Sequence, residues 1–313
     1  MDPEFVDFLA TFPPLNFADP AAQRLADAQA PRPESQLPAG VTRTDEEITG
    51  VDGHQVPIAV YRDEDVGPDG GIVVWIHGGG FVLGDPELEE SFCALLARKL
   101  STVVVAVTYR FAPEHPYPAG LDDCYCAVTH LAALSGVRYP SGPLIVAGAS
   151  AGAALAAGVV LRSRDSQGPG IDGQVLLMPF IDATLSQPSI RTLAEAPVFD
   201  SRDARLCWNH YLGPLAADPP EYASPAVAAD LTDLPPAYIL AAGEDCLRDE
   251  AIDYALRLQD SGVPTELHLV PSVPHGFNGL LPGATASRRA RHNLEEAMGA
   301  MLGRTVRVAN HAR

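Results

Sequence analysis

Residues 144–152 read Leu-Ile-Val-Ala-Gly-Ala-Ser-Ala-Gly, an apolar run that passes directly into a Gly-x-Ser-x-Gly turn. A turn of this kind between a strand and a helix lifts Ser150 above the sheet edge, where a base and a substrate can both reach its hydroxyl. The following helix aims unpaired N–H groups and the positive end of its dipole at the same point. Alone, the pentapeptide is weak evidence, because a Gly- and Ala-rich chain also makes packed turns of this composition.

A serine nucleophile needs a base, and the base needs a carboxylate to hold its tautomer. Pro274-His275-Gly276-Phe277 follows an apolar run at 264–270, and residues 243–250, Gly-Glu-Asp-Cys-Leu-Arg-Asp-Glu, follow another at 236–242. In a doubly wound sheet both segments open on the same side as Ser150, in the chain order serine, acid, histidine. His275 alone among nine histidines has this placement. Position leaves Glu244, Asp245, Asp249 and Glu250 all open as the acid. Asp249 and Glu250 also suit the first turn of a helix, where the dipole favours a carboxylate without any catalytic role.

A third cluster, His77-Gly78-Gly79-Gly80-Phe81, ends the run at 71–77. Glycines after a strand leave backbone N–H groups open to a ligand. In acyl transfer such donors bind the developing oxyanion, together with the N–H of the residue after the nucleophile, here Ala151. A phosphate cradle fits poorly, because no Lys-Ser/Thr follows and the G-x-G-x-x-G spacing is absent. His77 reads as a loop brace and not a base.

These loops need a sheet to bring them together. Runs rich in Val, Ile and Leu at 56–62, 71–77, 102–109, 143–149, 174–180, 236–242 and 264–270 read as buried strands of a largely parallel sheet. Helical patterns separate most of them, at 85–96, 151–164, 248–261 and 285–303, which predicts an α/β fold with helices on both faces. In the first of these helices Asp85 is a cap, and Leu88, Phe92, Leu95 and Leu96 share a face. Two segments break the alternation: residues 1–45, with a helix at 20–30 and a Pro-rich exit, and residues 185–225, with a helix at 200–212. They are expected to pack as a cap over a core made of 46–184 and 226–313. Residues 1–5, Met-Asp-Pro-Glu-Phe, look like a cloning scar and are set aside from the fold.

At this point the chain resembles the hormone-sensitive-lipase group of α/β-hydrolase esterases, the bacterial family IV carboxylesterases. The likeness spans nearly the whole chain. It rests on residues 77–81, on Tyr109-Arg-Phe-Ala-Pro-Glu-His-Pro-Tyr-Pro118, on residues 148–152, on Asp245-Cys-Leu-Arg-Asp-Glu250 and on His275-Gly-Phe277. The resemblance implies Ser150 as nucleophile, Asp245 as the orienting acid and His275 as base. It implies an oxyanion hole from the amides of Gly79, Gly80 and Ala151, with Gly78 shaping the turn, and no cofactor or metal. Trp208-Asn-His-Tyr-Leu212 resembles the lid helix, and Arg110 and Glu114 belong to a structural motif. Ala149, Ala153 and Cys246 stand where the group usually has Asp or Thr, Gly, and Pro.

The implied activity is a serine carboxylesterase for short- to medium-chain acyl esters. Its pocket is expected among Phe81, Phe180, Phe199, Trp208, Tyr211 and Phe277. An amide or formamide hydrolase uses the same parts, and a non-catalytic ligand receptor is the alternative of another class, opposed by the presence of all three reacting residues. Two copies pairing through the last strand, a homodimer, is the arrangement the resemblance allows. Forty acidic against 21 basic residues argue against nucleic-acid or anionic-membrane partners. An odd count of five cysteines, the lack of a long apolar span and the lack of a signal-peptide pattern point to a cytoplasmic protein.

Overall fold

The computed structural model describes residues 1–30 and 37–303. Eight strands run in chain order: β1 (Val41–Thr49), β2 (Gln55–Asp63), β3 (Ile72–Ile76), β4 (Val103–Val107), β5 (Leu144–Ala149), β6 (Gly173–Leu177), β7 (Ala237–Glu244) and β8 (Thr265–Pro274). The α-helices are α1 (Pro3–Leu9), α2 (Pro20–Gln29), α3 (Glu90–Leu100), α4 (Ala119–Ala133), α5 (Ala151–Asp165), α6 (Pro188–Thr192), α7 (Ser201–Leu212), α8 (Arg248–Asp260), α9 (Phe277–Leu280) and α10 (Thr285–Met301). All strands join one sheet in the order β1-β2-β4-β3-β5-β6-β7-β8. β1 pairs with β2 and β2 with β4 antiparallel, and every other pairing is parallel.

β3, β4 and β6 are buried along their whole length, as continuous apolar runs covered on both faces should be. Alternate side chains feed two cores. Val74, Ile76, Val146 and Ile239 pack toward α4, α5 and α8. Val73, Trp75, Ala147 and Leu240 pack toward α3 and α10. No helix among the described residues is long and apolar enough to cross a membrane.

Three expectations need correction. Residues 41–45, assigned to the cap, are the first half of β1. β1 escaped notice because it is an edge strand whose only buried residues are Val41 and Ile48. Its place is set by pairing with β2, not by an apolar run. The helix expected from Asp85 begins as a 3-10 turn, Pro86–Glu89, with Asp85 Oδ1 accepting from the Glu87 amide, and only then becomes α3. Residues 1–5 are part of the packed structure: Phe5 is fully buried edge-on to Phe277, at 6.3 Å between ring centroids. Glu4 accepts hydrogen bonds from the Thr285 amide (2.7 Å) and hydroxyl (2.9 Å), capping α10 from the other end of the chain.

Beyond the sheet, the two non-alternating segments meet. Phe17 packs edge-on against Phe199 at 5.4 Å, and His210 Nε2 donates to the Phe17 carbonyl at 3.0 Å. Arg24 ties α2 to the body through the Val82 carbonyl (2.6 Å) and Glu114. Residues 31–36 of the Pro-rich exit expected at 31–38, and the last ten residues, 304–313, lie outside the described residues.

Candidate active site

The first turn of α5 lies against the end of β3 with almost no space between them. A Cβ on Gly152 would lie 2.1 Å from the Ile76 carbonyl oxygen, so only glycine lets the helix begin here. Ser150, at φ 53° and ψ −120°, is the residue that takes up the sharp bend. Its amide donates to the Leu177 carbonyl at 2.8 Å, which locks the turn onto β6. Ala151 is the first residue of α5, so its N–H belongs to the turn that a helix leaves without internal acceptors.

The other two loops arrive from β7 and β8. A bulge between Ala242 and Glu244 shifts the register where the two strands end. Bulges of this kind bend a strand and re-aim the side chains next to them. Asp245 and His275 come directly after, and the His275 Nδ1–H donates to Asp245 Oδ2 at 2.7 Å. The Ser150 hydroxyl donates to His275 Nε2 at 2.9 Å. The second carboxylate oxygen of Asp245 accepts from the Leu247 amide at 3.0 Å. Asp245 is fully buried, whereas Ser150 and His275 keep 8 % and 7 % of their surface, enough for a ligand to touch them. The His275 ring lies 5.3 Å from that of Phe199.

The other acids go elsewhere. Asp249 pairs with Arg248 at 2.8 Å. Glu250 Oε1 accepts from the amides of Ile181 (2.7 Å) and Asp182 (3.2 Å), and burial pushes its carboxyl well above the usual range. Only Asp245 among the four carboxylates hydrogen-bonds the His275 ring among the described residues. His77 stacks on Tyr109 at 4.4 Å, and its Nδ1–H donates to the Gly78 carbonyl. Burial pushes this imidazole down to about 4, so it stays neutral and serves as a brace. Arg110 is likewise structural, spanning Asp123 (2.8 Å) and Asp52 (2.7 Å).

A cavity of about 450 Å3 contains Ser150, His275, Gly78, Gly79 and Gly80 in its wall. Of the six aromatics expected there, only Phe199 lines it. Phe81, Phe180, Trp208, Tyr211 and Phe277 are buried beneath, each at most 2 % exposed. Phe81, Phe180, Trp208 and Tyr211 form one ring cluster that supports the site from the cap side, with Phe81 stacked on Tyr211 at 4.0 Å. The remaining walls come from Leu15 and Phe17, from Met178, and from the facing sides of α3 and α10. The α3 wall had a sequence signal: Leu88 and Leu95 continue the apolar face yet stay exposed, at 62 % and 43 %. Cys246, in the usual proline's place, points its thiol at the Phe199 carbonyl at 3.6 Å and so links the acid loop to the cap. No group of three or more metal-ligating side chains is assembled among the described residues.

A hydroxyl, an imidazole and a buried carboxylate in series, beside glycine amides and a helix N-terminus, is equipment for acyl transfer. Comparison with known proteins agrees with it. The α/β-hydrolase-fold family matches residues 73–279. The esterase LipI of Mycobacterium tuberculosis is 40 % identical over 219 residues, 68 % of each chain. The carboxylesterase NlhH of the same species is 36 % identical over 295 residues, 88 % of each chain. A bacterial heroin esterase superposes with a TM-score of 0.89 at 35 % identity, covering 96 % of this chain and 98 % of its own. The chain belongs to the hormone-sensitive-lipase group of the α/β-hydrolase family.

Proposed function

We propose that this carboxylic ester hydrolase cleaves short- to medium-chain acyl esters through a covalent acyl-enzyme on Ser150. One observation carries the reading: the 2.9 Å and 2.7 Å hydrogen bonds that string Ser150, His275 and Asp245 together at the wall of an apolar cavity. Ser150 attacks the ester carbonyl as His275 Nε2 takes its proton. Asp245, held by the Leu247 amide, keeps the imidazole in the Nδ1–H tautomer and balances the imidazolium that forms. The amides of Gly79, Gly80 and Ala151 receive the oxyanion, each contributing about 3 kcal/mol to the tetrahedral state, with Gly78 shaping the turn. His275 then protonates the leaving alcohol, and water repeats the sequence on the acyl-enzyme.

The size of the cavity and its apolar walls support a substrate of small-molecule dimensions. The cap segments contribute Leu15, Phe17, Val198 and Phe199 to those walls and exclude water above Ser150. The decisive assay is a series of 4-nitrophenyl esters from acetate to palmitate on the native chain and on Ser150→Ala. Specificity rises into the medium chain lengths and then falls, and Ser150→Ala lowers kcat by about a million-fold. Turnover that survives the substitution removes Ser150 from the mechanism.

A further inference from the structure

The cavity does not end at Ser150. Its wall also includes Trp75 and Leu240 from the sheet and Leu88, Phe92, Leu95 and Leu294 from the helices packed on that face. One group in this wall is out of keeping with the rest. Glu89 Oε2 accepts from the Trp75 indole N–H, and Oε1 has no hydrogen-bond partner among the described residues. The adjacent Glu90 is matched by Arg43 at 3.2 Å, but no cation among the described residues reaches ion-pair distance of Glu89. Burial pushes the Glu89 carboxyl up to about 7, opposed by the Trp75 hydrogen bond. Arg291 and Glu295, both from α10, also line the cavity and contribute opposite charges.

Glu89 is partly exposed, and with no ion-pair partner among the described residues its carboxylate is open to a cation that enters the cavity. The rings of Trp75 and Phe92 stand in the same wall with centroids 4.7 Å apart. Ring faces beside a carboxylate attract ammonium groups. Trp75 pairs in register with Ala147, three residues before Ser150, which puts its backbone about 10 Å from the serine. With about 3 Å of contact distance at the ammonium end, a linear chain of about six to eight atoms covers the rest of that span.

We propose that Glu89, Trp75 and Phe92 form an ammonium-binding subsite, so that the preferred substrates are esters with a protonated amine at the end of one limb. The proposal rests on Ser150 as the attacking residue, and the test separates the two. Two isosteric pairs are compared at pH 8: 4-nitrophenyl 6-aminohexanoate against heptanoate for the acyl limb, and 5-aminopentyl acetate against hexyl acetate for the alcohol limb. In one pair the ammonium ester has the higher kcat/KM, by about tenfold, and Glu89→Gln erases that ratio while still accepting the Trp75 N–H. A ratio of one or less in both pairs, or a preference that persists in Glu89→Gln, overturns the subsite.

Binding is read independently of turnover in Ser150→Ala. There, hexylammonium perturbs Trp75 fluorescence at concentrations where 1-heptanol does not, and adding Glu89→Gln abolishes the difference. Absence of turnover on all four esters, with this binding intact, removes the esterase mechanism and leaves the ammonium site standing. Equal responses to hexylammonium and heptanol refute the site.

Discussion

On the proposed mechanism, Ser150 and His275 are chemically ordinary side chains made reactive by the groups that hold them. Asp245 is the residue that separates a positioned imidazole from a freely rotating one. Asp245→Asn therefore lowers kcat on 4-nitrophenyl esters by about 10⁴, since an amide that can donate permits the wrong tautomer. Asp249→Asn, which breaks only a partly exposed pair with Arg248, stays within about threefold. Steady-state kinetics on the two variants distinguish the acids directly. His77 makes a prediction about stability, not rate. In the unfolded chain it protonates near 6.5, and in the fold only near 4, because burial opposes the charge. Acidification between those values thus favours unfolding, by up to about 3 kcal/mol from this residue. His77→Asn keeps a donor for the Gly78 carbonyl but does not titrate. Its urea midpoint falls less steeply between pH 6.5 and 4 than that of the native chain.

At the level of elements, the site depends on the ends of strands and on the contacts that secure them. β5 and α5 meet through Gly152, and β7 and β8 end in a bulge that turns Asp245 and His275 toward each other. The loop after His275 is held from below by Phe277, and Phe277 in turn packs against Phe5. α1 is therefore a buttress for the histidine loop, although it lies at the opposite end of the chain. Phe5→Ala removes a fully buried ring and costs about 3–5 kcal/mol, seen as a lower urea midpoint. Substituting Glu4 by Gln weakens the cap on α10, a smaller loss seen in the same midpoint. β1 shows how an element can lie outside local pattern. Its acidic, mostly exposed sequence gives no apolar run, and its strand conformation comes from nine residue pairs with β2.

For the molecule as a whole, on the proposed mechanism, the sheet positions the reacting groups and the two non-alternating segments govern what reaches them. Phe17 and Phe199 come from the two cap segments, touch each other, and line the cavity above Ser150 and His275. Phe17→Ala opens this wall to water. On a medium-chain ester the variant shows KM raised about tenfold with a smaller change in kcat, because apolar contact with the substrate is lost while the serine, histidine and aspartate stay in place. An equal fall in kcat at unchanged KM would place Phe17 in support of the reacting groups instead.

Contiguous residues carried much of this protein openly. Apolar runs marked seven of the eight strands, most clearly β3, β4 and β6, which are covered on both faces and so show no polar alternation. Residues 77–81, 148–152 and 275–277 stood out in sequence because a tight turn, a set of open amides and a histidine after a strand each need particular residues in order, and the fold brings all three to one cavity. Choosing Asp245 from its neighbours by position required the fold, since Glu244, Asp249 and Glu250 share its loop and differ only in where their carboxylates point. The same holds for the aromatics. Phe199 faces the cavity while Phe81, Phe180, Trp208, Tyr211 and Phe277 pack under it. Which face of an apolar side chain meets solvent, substrate or another ring is settled by distant segments converging on it. That convergence also brought Phe5 to Phe277 and Glu89 into the cavity of Ser150, and no local spacing encodes it.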